Sequence, residues 1–504
     1  MRKLHTLIVL IAMLLFSCAS NNTPPPDDHD EEEITHLNIF YLNDTHGAVL
    51  ENGDEMGMAK IGNLILDEKT RNPDNTLFIT GGDILQGSLV SNYFNGASMM
   101  DTLNLIGLDA FVLGNHEFDW GLDVIQNYFN PETEGLKVEF PLLGANVFFK
   151  DTTERPDFVE PYTVIQKGQV KVGIIGLMGY GLESSIATSR VEDYEFGDPI
   201  TQASFYAEHL RVQEEVDIVL VVIHGANASV NQTIGNFSGN KRVDAVFNGH
   251  SHSTYTQFTV RDGVDMPILQ SGSKGSLVGN MRLNLDESNH VSGYSVSNLN
   301  RLNETRLNHA NLEVDDLIQN YVTVVAPLLN EVIMISGEYM SRNALTTFMA
   351  KLIRHASDSD IAFHNSGGTT ASINNQQEIT IATLYQVFPF DNKIKTVYLS
   401  GETINGLLGD SYYQYHDIKD GVTFQSGQFY KVATNDYVFD YVDGVFIHGD
   451  DIVDTGILIR DILETVIRNQ AEIYDYFMLS NPIVLASNPF TWQQETTAFL
   501  YQLI

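Results

Sequence analysis

A chain of 504 residues with 43% apolar and 10% aromatic side chains can build at least two cores, since single domains run to about 100–250 residues. Its formal net charge of −37 excludes nucleic-acid polymers as natural partners, because a duplex is held by a basic face. Small anions stay open to it where metals or a few local cations hold them.

The first predicted element is a targeting segment. Arg2 and Lys3 precede an apolar run over residues 7–16, too short to span a bilayer comfortably, and "LFSC" at 15–18 ends it. The segment resembles a bacterial lipoprotein signal over residues 1–18, which implies lipidation of Cys18 and a place on the outer face of the bacterial cell membrane or its periplasmic side. The alternative is an ordinary cleaved signal peptide. Cys18 is the only cysteine, so no internal disulfide can form. Residues 19–34 carry three prolines and six acidic side chains and read as a disordered, solvated tether; His29 within it is given no metal role. No second stretch offers about 18 consecutive apolar residues, so a lipid anchor is the one membrane attachment expected.

From Leu37 onward a pattern recurs: a short apolar run ends and a polar cluster follows at once. "LNIFYL" leads to "NDTH" (43–46), "TLFIT" to "GGD" (81–83), "AFVL" to "GNHEFD", "DIVLVVI" to "HGA" (224–226), and "DAVF" to "NGHSH" (248–252). Helix-like stretches such as 57–69 and 201–215 lie between them, which indicates a layered α/β architecture. Polar clusters at the carboxyl ends of successive strands can converge on one site. Residues 311–335 read as a connecting helix interrupted by Pro327. A second domain is expected over 336–504, with a strand–turn–helix signal at 395–408 and a strand running into a loop at 430–439.

The strand-end clusters supply Asp44, His46, Asp83, Asn115, His116, His224, His250 and His252. Imidazole, carboxylate and amide donors together suit Zn, Mn or Fe and poorly suit Ca. Asp44 and His46 are two residues apart, as are His250 and His252, and an extended loop can aim such a pair at one point. Seven or eight donors exceed the needs of one tetrahedral ion and match two ions sharing a carboxylate. Taken singly, each residue has a bland reading as a satisfied polar side chain after a strand, and "GGD" is a common turn. Five such ends within one stretch favour the metal reading.

"NDTHG", "GGDILQGS", "GNHEFDWG", "VIHGA" and "NGHSH" resemble the successive motifs of the calcineurin-like metallophosphoesterases, in particular the bacterial 5'-nucleotidase family. The second domain is similar to that family in "NSGG" (365–368), "FPFDNKIKTVYLSGETI" (388–404) and "VATNDYVFDYVDG" (432–444). The resemblance implies a four-layered β-sandwich metallophosphatase domain over 35–310, joined by a helix to a smaller α/β substrate-binding domain. It implies two divalent ions, with Zn, Mn or Co as candidates. Asp44, His46, Asp83 and His252 would hold one and Asp83, Asn115, His224 and His250 the other. His116 is then left for acid–base chemistry, with Asp119 orienting its ring. The plain alternative for Asp119 is a helix N-cap. Glu117 receives no role.

By motif position, Phe390 and Tyr437 would sandwich a base, with Asn392, Asp443, Asn365 and Arg342 as further substrate contacts. The chain departs from the family pattern at Thr370, where an Arg is usual, in "SRNALTTFMAKL" (341–352), which keeps Arg342 but lacks the family's Glu and Asn, and at Tyr441-Val442. Losing an Arg removes a bidentate anion contact. The expected activity is hydrolysis of nucleoside 5'-monophosphates or related nucleotides to nucleoside and phosphate. A 2',3'-cyclic-nucleotide phosphodiesterase, a nucleotide-sugar diphosphatase, and a binding lipoprotein without catalysis are the alternatives.

Overall fold

The structure, a computed structural model, describes residues 35–133, 135–225, 227–440 and 444–485. The expected signal segment with Cys18, the tether, Asp443 with its neighbours 441–442, and residues 486–504 lie outside the described residues. No helix among the described residues is long and apolar enough to cross a membrane.

Two six-stranded sheets form the first half. In one, the strand order is Val291–Leu299, Val278–Leu285, His36–Leu42, Thr76–Gly81, Ala110–Val112, Leu142–Leu143. In the other it is Thr254–Thr259, Met266–Ser271, Ala245–Asn248, Ile218–His224, Val170–Met178, Tyr162–Lys167. His36–Leu42 shows why the layers form. Leu37, Ile39 and Tyr41 point between the sheets, against Val172, Leu220 and Phe247. Phe40 and Leu42 point outward, against Met58, Ile61 and Leu64 of helix Met58–Arg71. The second sheet is likewise covered on its outer side, by Ala203, Ala207 and Leu210 of helix Pro199–Val212. Strands buried on both faces read as continuous apolar runs, which is how they appear in the sequence.

The inner strands of each sheet are parallel, so their carboxyl ends share one edge. There the Tyr41 hydroxyl donates to the Asn248 carbonyl at 2.8 Å, tying the sheets together. A Cβ on Gly81 would lie 1.8 Å from that hydroxyl, so only glycine fits where this strand ends.

The connecting helix spans Leu312–Asn330, shorter than the expected 311–335, and it continues through Pro327. Asn311 caps it by accepting from the N–H groups of Glu313 and Val314, and Glu313 and Asp315 complement the dipole of its first turn. Pro327 falls in the last turn, where a missing N–H costs one bond close to the end of the ladder. The apolar residues after it instead form strand Val332–Ile335, paired with Glu378–Thr380.

The second half is built on a five-stranded sheet of order His416–Ile418, Ile361–Phe363, Phe429–Asn435, Lys393–Ser400, Asp450–Leu458. Helices Arg342–Ser357 and Ile459–Ala471 pack on it through Leu345, Met349, Ile462 and Val466. The segment 388–392 joins the halves. The carbonyl of Pro389 accepts from Gln86 Nε2 at 2.9 Å and Asn92 Nδ2 at 3.1 Å, and Asp391 Oδ2 accepts from Trp120 Nε1 at 3.2 Å. From the other side buried Arg460 donates to the carbonyls of Phe388 (2.8 Å) and Phe390 (3.3 Å) and pairs with Asp391. Its guanidinium lies 3.5 Å from the centre of the Tyr385 ring.

Arg460→Met keeps the stem and removes the fork, leaving two carbonyls without this donor and Asp391 with Trp120 alone. Urea unfolding should show a loss of about 3 kcal/mol or more. A variant as stable as wild type would show that this clamp does not support the junction.

Candidate active site

Every expected metal ligand sits at the shared strand-end edge. Asp44 and His46 follow strand His36–Leu42, Asp83 follows Thr76–Gly81, Asn115 follows Ala110–Val112, His224 ends Ile218–His224, and His250 and His252 follow Ala245–Asn248. Five of these residues hold left-handed backbone conformations: Asp44 (φ 51°), His46 (47°), Asp83 (56°), His250 (72°) and His252 (54°). Non-glycine residues avoid this region at a cost of about 1–3 kcal/mol each, and strained backbone of this kind clusters at functional sites. The tight turns reverse the chain at the strand ends and point the side chains across the edge.

The structure brings the donors together in two groups, Asp44 with His46 and His252, and Asp83 with His224 and His250. In the first, the Nε2 atoms of His46 and His252 lie 3.0 Å apart and His252 Nε2 is 3.6 Å from Asp44 Oδ1. In the second, His224 Nε2 is 3.2 Å from Asp83 Oδ2 and 3.1 Å from Asn115 Oδ1, and His250 Nδ1 is 2.9 Å from the same amide oxygen.

The tautomers follow from the neighbours. Nδ1 of His224 faces the Gly81 carbonyl at 2.7 Å, and Nδ1 of His46 faces the Gln86 carbonyl at 3.2 Å. A carbonyl only accepts, so each Nδ1 carries a proton and each Nε2 presents a lone pair toward its group when the ring is neutral. Burial holds His46 down to about 3 and His250 down to about 4, so both are neutral donors at neutral pH. Burial also pushes Asp44 up to about 7. His224 is opposite: burial lowers it, but the Asp83 carboxylate outweighs burial and lifts it to about 9. A proton on His224 thus stands where a cation would neutralise Asp83. Lone pairs converging from imidazoles, carboxylates and one amide fit divalent transition metals.

His116 lies beside this set. Its N–H donates to Asp83 Oδ1 at 2.9 Å and its Nδ1 is 2.8 Å from Asp119 Oδ2. Burial lowers its pKa, but Asp119 and then Asp83 outweigh burial and raise it to about 10. Asp119 does not cap the next helix, Leu122–Phe129, whose N-cap is Gly121.

Glu117, given no role from sequence, is buried and central. Its carboxylate accepts from the N–H groups of Asp83, Ile84 and Gly114, each at 2.8 Å. It therefore ties the loops after two neighbouring strands and sets the backbone that carries Asp83. The legible signal was its position three residues after Gly114, where a Glu reaches back to the first N–H of a helical turn. A Cβ on Gly114 would come within 2.4 Å of Asp83, which leaves only glycine there.

The expected substrate residues divide between two cavities. Asn365, Asn392 and Tyr437 line one of about 230 Å³, together with Asn115 and His250. Arg342 and Thr370 line another of about 710 Å³, together with His46 and His252. Phe390 and His116 border both, and their rings stack with centres 4.9 Å apart and planes 12° apart. Phe390 thus faces the candidate catalytic ring. Asn392 Nδ2 donates to Asp436 Oδ1 at 2.8 Å, and Asn365 Oδ1 accepts from Asn435 Nδ2 at 2.9 Å, so both amides are oriented before any ligand arrives. Sequence reading missed Arg190, which lines the smaller cavity, and Lys274, which lines the larger.

Residues 37–254 match the model of the calcineurin-like phosphoesterases, and residues 324–429 match the 5'-nucleotidase C-terminal domain. The chain is 26% identical over 506 residues to the cell wall protein Lmo0130 of Listeria monocytogenes, covering 81% of this chain and 64% of that protein. It is 24% identical over 461 residues to the 5'-nucleotidase of Bos taurus, covering 80% of this chain and 75% of that one. The chain spans between 29% and 64% of the lengths of the Listeria protein and three further relatives. Among solved structures, a 5'-nucleotidase precursor from Thermus thermophilus shares the fold with a TM-score of 0.72 at 20% identity, over 86% of this chain and 96% of that one. With both domain models matched in order along one chain, the protein belongs to the calcineurin-like phosphoesterases with a 5'-nucleotidase C-terminal domain.

Proposed function

We propose that the protein is an exported, lipid-anchored phosphohydrolase that uses two divalent ions, of the Zn, Mn or Co type, to cleave nucleoside 5'-monophosphates or related nucleotides. The observation that carries the reading is the convergence of two donor groups, with ring tautomers set by backbone carbonyls, beside a cavity lined by Tyr437, Phe390 and two oriented amides. "LFSC" before the acidic stretch supports the anchor, with Cys18 as the lipidated residue.

Asp44, His46 and His252 would hold one ion and Asn115, His224 and His250 the other, with Asp83 between them. Such ions supply Lewis-acid polarisation of the phosphoryl oxygens and lower the pKa of water. The chain's own groups do the rest. His116, when protonated, offers a positive N–H to the charge that develops on the phosphoryl group or to the departing oxygen. Asp119 holds that ring in one orientation. Tyr437 offers a face on which a base can stack, and stacking tolerates different bases.

Three outcomes test this. His116→Asn should keep both ions, measured by elemental analysis, while kcat falls about 10²–10⁴-fold; loss of metal would make His116 a ligand. Because His224 in the metal-free protein is held up to about 9, a cation arriving at neutral pH must expel its proton. Calorimetric titration in buffers of different ionisation heat should therefore show proton release, with affinity rising as pH rises toward about 9. Binding without proton release would contradict the assignment of His224. Finally, Tyr437→Ala should raise KM for nucleotides more than it lowers kcat, since stacking worth about 1–3 kcal/mol acts in both ground and transition states. Equal damage to a small aryl phosphate would make Tyr437 structural.

A further inference from the structure

The smaller cavity has two ends. Asn115, His116 and His250 close the one at the strand edge, where the donor groups lie. A contact between the halves fixes the other. Thr188 Oγ1 donates to the Asp440 carbonyl at 2.6 Å, and Asp440 ends the helical turn Asp436–Phe439 that carries Tyr437. Arg190 stands two residues after Thr188 in the turn Thr188–Val191, so this contact brings it into the cavity wall at the Tyr437 end.

Arg190 is the only lysine or arginine in that wall among the described residues. Its bond from Nη1 to the Trp120 carbonyl is long, at 3.4 Å. The carboxylates beside it are engaged elsewhere. Asp119 faces His116 Nδ1 at 2.8 Å, Asp391 accepts from Trp120 Nε1 at 3.2 Å and pairs with Arg460, and Asp436 accepts from Asn392 Nδ2 at 2.8 Å and from the Tyr437 N–H at 2.9 Å. In a chain of net charge −37, a guanidinium that the neighbouring carboxylates leave alone is available to a ligand. Asn392 points the same way. Because its Nδ2 is spent on Asp436, its Oδ1 is the atom left to accept from whatever enters.

The position selects among bases. A 6-oxopurine carries O6 and N7 side by side, two acceptors that match the fork of a guanidinium, and a ring N–H that an amide oxygen can accept. A 6-aminopurine turns an amino donor toward the guanidinium and has no such ring N–H. We propose that Arg190 is a specificity-determining residue that reads the O6 and N7 edge of a purine stacked by Tyr437, and that the favoured substrates are 6-oxopurine nucleoside 5'-monophosphates. Asn392 Oδ1 accepts from the same base. The inference rests on the nucleotide reading above and adds to it the class of base.

The test measures the Kd of guanosine, inosine and adenosine for the full chain, which needs no hydrolysis, and the KM of the three 5'-monophosphates. Wild type should favour guanosine and inosine over adenosine about tenfold or more, and Arg190→Ala and Arg190→Gln should each lose about tenfold of that preference with melting temperatures like wild type. A guanidinium that only stacks on the base acts on all purines alike. Equal weakening of the three nucleosides, or a wild type that favours adenosine, therefore overturns the proposal. If the preference and its loss are as expected but no 5'-monophosphate is hydrolysed with Mn, Co or Zn, the base contact stands and the hydrolase reading falls. If all three monophosphates are hydrolysed with equal KM, the hydrolase reading stands and this proposal falls.

Discussion

One buried carboxylate holds the site in register. Glu117 accepts from the N–H groups of Asp83, Ile84 and Gly114 and so ties together the loops that follow two adjacent parallel strands. Burying a carboxylate is costly unless several donors meet it, and backbone N–H groups meet it here without any side chain having to be ordered. The bond network then runs outward: Asp83 is fixed, the His116 N–H reaches its Oδ1, and Asp119 orients the ring. Loosening Glu117 would free Asp83, the carboxylate that lies nearest to His224.

The strained turns depend on the layers beneath them. Five donors in left-handed backbone conformations represent several kcal/mol of unfavourable local energy. The strands that launch them are buried on both faces, so the turns cannot relax without disturbing two apolar layers. The layers beneath thus hold the lone pairs converged. Ring orientation is fixed with the same economy, since the Gly81 and Gln86 carbonyls set the tautomers of His224 and His46.

Both cavities are shaped at the junction of the two halves. Segment 388–392 is gripped by Gln86, Asn92 and Trp120 from one side and by Arg460 from the other, and this grip lays Phe390 on His116. The stacked pair borders both cavities, so it stands between the space lined by Tyr437 and the space lined by Arg342 and Lys274. Trp120 follows Asp119 directly, which links the position of the second domain to the residue that orients His116.

The layered α/β class and the gathering of the candidate donors at one sheet edge were legible in the sequence, because both-face burial writes continuous apolar runs and these residues fall where those runs stop. Asp44, His46, Asp83, Asn115, His224, His250 and His252 could be named from that rule and from the family resemblance alone. The roles that stayed hidden belong to contacts between distant segments. Glu117 acts on backbone N–H groups over thirty residues away in the chain, and Arg460 acts on carbonyls about seventy residues before it. The division of Arg342 from Tyr437 into separate cavities, and the presence of Lys274 and Arg342 in one cavity wall, are likewise set by how the two halves meet. Local periodicity records which face of a strand is buried; it carries no record of which distant backbone a side chain will reach. That was decided only when the sheets stacked and segment 388–392 docked against the strand ends.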